Sequence, residues 1–109
     1  MERLPLKTKK ELIFIDFDEI IYIEKFQNKA VITTKTRKIE ISESLASLNN
    51  RLDNKIFVRS HKSYIVNINF IKKIVPWSGK TYRISFIGLN EHAWFSYQRY
   101  REFKNKILS

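Results

Sequence analysis

The amino-acid sequence predicts a mainly β fold with one short helix over about 42–52 and a C-terminal helix over about 97–107. Short runs rich in Ile, Val, Phe, Tyr and Thr alternate with polar residues, as half-buried strands do. Turn-forming residues punctuate those runs at close intervals. Only the two helical segments abandon this alternation for apolar residues three and four apart, the spacing of a helix face.

Residues 11–24 read as two strands meeting near Asp16-Phe17-Asp18. Ile13 and Ile15 share one face; Ile21 and Ile23 share another, with Tyr22 opposite. Residues 25–30, K-F-Q-N-K-A, read as a loop without glycine, followed by a strand at 31–34. Lys35-Thr36 is a tight link into 37–41, where Ile39 and Ile41 alternate with polar neighbours. Leu45, Leu48 and Leu52 then fall at i, i+3 and i+7, with Ser42 as N-cap and Glu43 in the first turn. With one strong positive charge, this helix is expected to cover a sheet.

Phe57-Val58 and Tyr64-Ile65-Val66 are core-seeking flanks around a basic tip, Arg59-Ser60-His61-Lys62-Ser63. A further strand is expected at 72–75, and residues 76–80 carry the clearest turn signal, with Trp77 covering a sheet edge. Residues 81–87 place Tyr82, Ile84 and Phe86 on one side. Gly88-Leu89-Asn90 turns the chain into a last strand at 91–95. Ser96 is a candidate N-cap for the final helix, whose packing face is Tyr100, Phe103 and Ile107.

Length and composition favour one domain over 1–109, large enough for one core and too short for two. There is no run of about 18 apolar residues, so no membrane segment is expected. The start of the chain lacks the apolar stretch of a secretory signal. The absence of cysteine removes thiolate chemistry and agrees with a reducing compartment, so a cytoplasmic location is expected.

Charge narrows the function. Twenty-one Lys and Arg against eleven Asp and Glu leave a net charge of +10. That field attracts polyanions, nucleic acid first, with acidic membrane and acidic protein as rivals and plain solubility as the simplest account. The charge is also clustered, because five positive groups and no acid lie between Lys25 and Lys38.

Catalytic signals are weak, and no enzyme activity or cofactor is expected. Asp16, Asp18, Glu19 and Glu24 match no metal-loop spacing and read as turn residues facing away from the polyanion. Two histidines, His61 and His92, without cysteine give zinc few donors. Ser60, His61 and Ser63 have no evident third partner for nucleophilic chemistry. The simplest function is duplex DNA binding through loops, in which Lys and Arg supply affinity and a few tip residues read base edges. A basic protein-interaction module and an RNA-binding domain remain alternatives.

Several pieces then resemble the LytTR family of bacterial DNA-binding domains, the effector domains of response regulators. They are D-E-I-I-Y-I-E at 18–24, S-L-A-S-L-N from Ser44, F-V-R-S-H-K-S-Y-I-V-N at 57–67, I-K-K-I at 71–74 and Y-Q-R-Y-R-E-F-K at 97–104. The resemblance implies an elongated, mostly antiparallel β fold whose interstrand loops enter successive major grooves. It implies transcription regulators acting on direct repeats in promoters, often as two copies on one face of DNA. Regulation of the freestanding kind by a partner protein is a further implication. By the same resemblance, Lys29 and Lys62 fall at base-reading positions. Gln98 stands where many members carry a base-contacting Arg, and the adjacent Arg99 is a further base-reading candidate. Arg59, His61 and Ser63, with Lys25, Arg101 and Lys104, become candidates for phosphate contact or loop organisation. Gln98 departs from the family: an amide reads adenine, whereas the guanidinium fork suits guanine.

Overall fold

The structure, a computed structural model, describes residues 2–109; Met1, within the expected 1–109 span, lies outside the described residues. Strands β1 (Arg3–Lys7) and β2 (Leu12–Asp16) form an N-terminal hairpin. A central five-stranded sheet has the order β5-β4-β3-β7-β6, from β3 (Ile20–Phe26), β4 (Lys29–Thr34), β5 (Lys38–Ile41), β6 (Phe57–His61) and β7 (Tyr64–Asn67). A third sheet, β10-β9-β8, is built from β8 (Ile71–Pro76), β9 (Thr81–Phe86) and β10 (Leu89–Ser96). Helix α1 (Leu45–Arg51) links β5 to β6, and α2 (Tyr97–Leu108) continues directly from β10. Every pairing is antiparallel, and the body is elongated, about 40 × 31 × 26 Å. No helix among the described residues is long and apolar enough to cross a membrane.

The central sheet is buried on both faces, which is why β3 and β7 carry apolar runs in place of clean alternation. One face packs Ile20, Ile23, Ile32 and Ile65 against Leu4, Leu6 and Ile15 of the N-terminal hairpin and Leu45 and Leu48 of α1. The other packs Ile21, Tyr22 and Val66 against Ile84, Phe86, Ala93 and Phe95 of the third sheet, with Tyr100 and Phe103 of α2 closing that layer. Each fully buried Ile or Leu stabilises the layers by about 1.5–3 kcal/mol. A register shift between Ile20 and Tyr22 turns Ile21 to the second core and Ile23 to the first. These two residues therefore do not share a face, contrary to the twofold reading.

Other boundaries also differ from expectation. Residues 3–7 form a strand that sequence pattern did not signal, since Pro5 interrupts it and only Leu4 and Leu6 are buried. The α1 N-cap is Ser44, which accepts from Ser47 N–H at 3.0 Å; Ser42 and Glu43 lie outside the helix. The β9–β10 turn is Ile87-Gly88, with Gly88 at φ +74, so Leu89 and Asn90 are already strand. Ser96 occupies the N-cap of α2 without a side-chain capping bond, and Ile107 is 51% exposed. The helix is held by Tyr100, stacked at 3.9 Å on Tyr82, and by Phe103 against Phe95.

One buried polar group fastens the centre. Asn67 is fully buried, donates to Ile20 O at 2.9 Å and Phe17 O at 3.4 Å, and accepts from Asn69 N–H at 2.9 Å. It joins the end of β7 to the 3-10 turn Phe17–Glu19 that precedes β3. Removing the amide takes this partner from Ile20 O and Asn69 N–H, while Phe17 O keeps the Ile20 N–H, so Asn67→Ala is expected to lower unfolding free energy by about 2–3 kcal/mol in urea titration. A loss below about 0.5 kcal/mol would remove this role.

Candidate nucleic-acid interface

Two hairpin tips are tied to one another. Pairing of β3 with β4 continues to Phe26↔Lys29, leaving only Gln27 and Asn28 to turn. Gln27 takes φ 56, a conformation that usually attracts glycine, and this is why the segment read as a longer loop. The second tip, between β6 and β7, is Lys62-Ser63. The Lys25 N–H donates to Ser63 O at 2.9 Å, which fixes the first tip against the second.

Arg59 organises the second tip from within. Its Nε donates to His61 O at 3.0 Å and its Nη2 to Lys62 O at 2.6 Å. Ser63 N–H donates to His61 Nδ1 at 3.1 Å. The basic stretch is therefore strand up to His61, with a bulge between Arg59 and His61. The bulge turns Ser60 inward, fully buried with no partner for Oγ, so it does not belong to the displayed donors. Burial lowers the Arg59 pKa, and nearby Arg99 lowers it further. The His61 imidazole is also held below its ordinary value, first by burial and then by Lys62, Arg99 and Arg59.

Helix α2 joins this assembly at its first turn. Arg99 Nη1 donates to Arg59 O at 3.3 Å, so the helix start and the second tip are in direct contact. Gln98 is exposed one residue earlier, about 100° round the helix. A cleft of about 370 Å³ is lined by Lys25, Asn28, Lys29, Arg59 and Lys62 together with residues 42–46. Its one carboxylate, Glu43, is engaged by Arg51 at 2.8 and 3.0 Å. The two side-chain salt bridges among the described residues are that pair and Lys38–Glu91, so Lys25, Lys29, Lys62 and Arg99 have no carboxylate partner there.

The remaining candidates separate. Arg101 and Lys104 are exposed on α2 and line neither the tips nor the cleft; Arg101 lies 5.6 Å from the Tyr97 ring. Glu24 does not face away from the tips, contrary to expectation. It sits in β3 beside Lys25 and accepts from Tyr64 OH at 3.2 Å. Burial, with Glu24 adding to it, pushes the Tyr64 hydroxyl up to about 12. Asn28 was not singled out from sequence; the Q-N pair between alternating residues was its only signal.

A β scaffold that carries two coupled basic tips and a helix start on one surface is a nucleic-acid-binding module. Residues 10–108 match the model of the LytTr DNA-binding domain, and the chain belongs to that LytTR family. Such domains bind DNA and are not catalytic. The chain is 28% identical to the transcriptional regulatory protein NatR of Bacillus subtilis, covering 94% of this chain and 44% of NatR. It is 29% identical to the sensory transduction protein LytT of Bacillus cereus, over 77% of this chain and 34% of LytT. The chain thus spans less than half of either relative. A solved LytTr DNA-binding domain from Bacillus cereus superposes with a TM-score of 0.83 at 26% identity, covering 98% of this chain and 97% of that one.

The depressed His61 pKa has a signed consequence. Unfolded chains bind a proton at about pH 6.5, whereas the folded imidazole resists it, so the unfolded state holds more protons as pH falls through that value. The His61 contribution to stability is therefore present above about pH 6.5 and lost on acidification. An NMR titration is expected to place the His61 midpoint below 6.5; a midpoint above it would contradict the packing described.

Proposed function

We propose that the domain binds duplex DNA in a sequence-specific manner, with the β3–β4 tip, the β6–β7 tip and the first turn of α2 entering neighbouring major grooves. The observation that carries this reading is a pair of hydrogen bonds, backbone Lys25 N–H to Ser63 O and side-chain Arg99 Nη1 to Arg59 O, which join all three elements in one arrangement. The 40 Å long axis is comparable to a helical turn of DNA, about 34 Å. Lys29, Lys62 and Gln98 are the base readers, and Arg99 supports the last of these. Lys25, Arg59, His61 and Ser63 shape the tips or meet phosphate, while Arg101 and Lys104 add attraction along α2. Because relatives such as NatR are named transcriptional regulatory proteins, the DNA is a promoter element, and the effect is regulation of transcription. A direct repeat would seat a second copy on the same side of the duplex. Acting as a freestanding regulator, the domain would be controlled by a partner protein.

Selection of bound duplexes from a random pool tests the reading. A defined consensus supports it, whereas equal retention of scrambled duplexes and RNA would leave only a non-specific basic surface. Once a consensus is known, Lys62→Ala is expected to lose about 1–3 kcal/mol of discrimination at one base pair. Uniform weakening across all duplexes would instead make Lys62 a phosphate contact. Gln98→Arg is expected to move preference at its own position toward guanine. An unchanged consensus in repeated selection would remove Gln98 from the base readers.

A further inference from the structure

The turn between β8 and β9 lies outside the three elements assigned above, yet it is built to hold a charge still. Trp77 N–H donates to Thr81 O at 3.0 Å, and Thr81 donates to Ser78 O through N–H at 3.2 Å and Oγ1 at 2.7 Å. Gly79 supplies the left-handed backbone at φ +59. The Arg83 guanidinium lies 4.1 Å from the Trp77 ring centroid, and Trp94 is 6.0 Å from the same ring. This bracing presents Lys80 toward the start of α2, where Lys80 Nζ is 6.0 Å from the Tyr97 ring and Arg101 is 5.6 Å from it.

Two like charges gather here around an exposed ring. A cation–π contact at an exposed site stabilises by only about 0.5–1 kcal/mol, and the two cations repel one another. No acid occurs between Asn54 and Asn90, and neither Lys80 nor Arg101 has a carboxylate partner among the described residues. Helical geometry supplies the direction. Tyr97 and Arg101 are four residues apart on one side of α2, Arg99 is turned toward Arg59, and Gln98 projects between those sides. A strip of cations therefore runs from the cleft, past Gln98, to the β8–β9 turn.

We propose that the β8–β9 turn is a further DNA-contacting element, in which Lys80 and Arg101 beside the Tyr97 ring hold the sugar-phosphate backbone next to the base-reading start of α2. This rests on the DNA-binding reading and adds Lys80 and Tyr97 to it. The contact carries no base information. It adds charge neutralisation and fixes the angle at which α2 meets the groove.

The test is a salt titration of the selected duplex with the wild-type chain, Lys80→Ala, Arg101→Ala, the double variant, and Lys9→Ala in the distant β1–β2 turn as control. Each of the first two substitutions is expected to lower the slope of log affinity against log salt by about 0.9. Between 50 and 200 mM salt this makes the variant's affinity loss roughly threefold to fourfold smaller than the wild type's. The hydroxyl-radical footprint is expected to recede at one end, and the consensus to stay the same. A Lys80→Ala slope and footprint indistinguishable from Lys9→Ala would overturn the inference, as would a changed base preference. If the wild-type chain bound scrambled duplexes equally well, base reading would fall; the Lys80 slope on those duplexes would still decide this contact separately.

Discussion

The arrangement of the interface depends on Arg59 directing its donors inward. A guanidinium on a basic surface normally neutralises a carboxylate, but here it binds the carbonyls of His61 and Lys62 and leaves its own carbonyl to Arg99. Hydrogen bonds from a charged group to such acceptors are worth about 1.5–3 kcal/mol each, enough to hold a tip of several like charges together. The charges themselves stay uncompensated. Lys29 and Lys62 stand at tips joined by a backbone hydrogen bond, Arg99 is held by the Arg59 carbonyl, and their unneutralised field is what a polyanion would complete. The protein thus accepts repulsion in the free state in exchange for a preformed surface.

That surface spans two sheets, so it also depends on how they are joined. The tips belong to the central sheet, whereas α2 is an extension of β10 in the third. Between these sheets Tyr22 OH and Lys38 Nζ both donate to Glu91, each at 2.6 Å, and Tyr22 stacks on Phe86 at 5.1 Å. The hydrogen bonds from Lys38 and Tyr22 hold the Glu91 carboxyl below its usual range, while burial, reinforced by Glu91, raises the Tyr22 hydroxyl. Glu91 is thus an anion spent on architecture. It links the sheet that bears the tips to the sheet that bears the helix at the rim of the apolar layer between them.

Much of this was legible in the residues. Alternation located most strands, the Leu45-Leu48 spacing located α1, and the long motif from Phe57 to Asn67 pointed to the central hairpin. What escaped reading had identifiable causes. A β bulge is invisible to pattern, so plain alternation leaves Ser60 in the basic tip and Ile21 on one face with Ile23. A two-residue turn built on Gln27 lacks the glycine that would announce it. The first strand rests on Leu4 and Leu6 alone and gains its burial from α1 and the central sheet, which sequence spacing cannot display. The bonds from Lys25 to Ser63 and from Arg99 to Arg59 join residues about 40 apart in sequence, and only the fold brings them together.

On this reading, separate segments form one rigid contact surface before DNA arrives, and an NMR titration of a selected duplex into the domain tests it. Amides of the Gln27-Asn28 turn, the Lys62-Ser63 turn and the first turn of α2 should shift together with a single saturation point, while those of the β1–β2 turn stay in place. Perturbation confined to one of the three, or spread equally over the β1–β2 turn, would contradict a shared, prearranged interface.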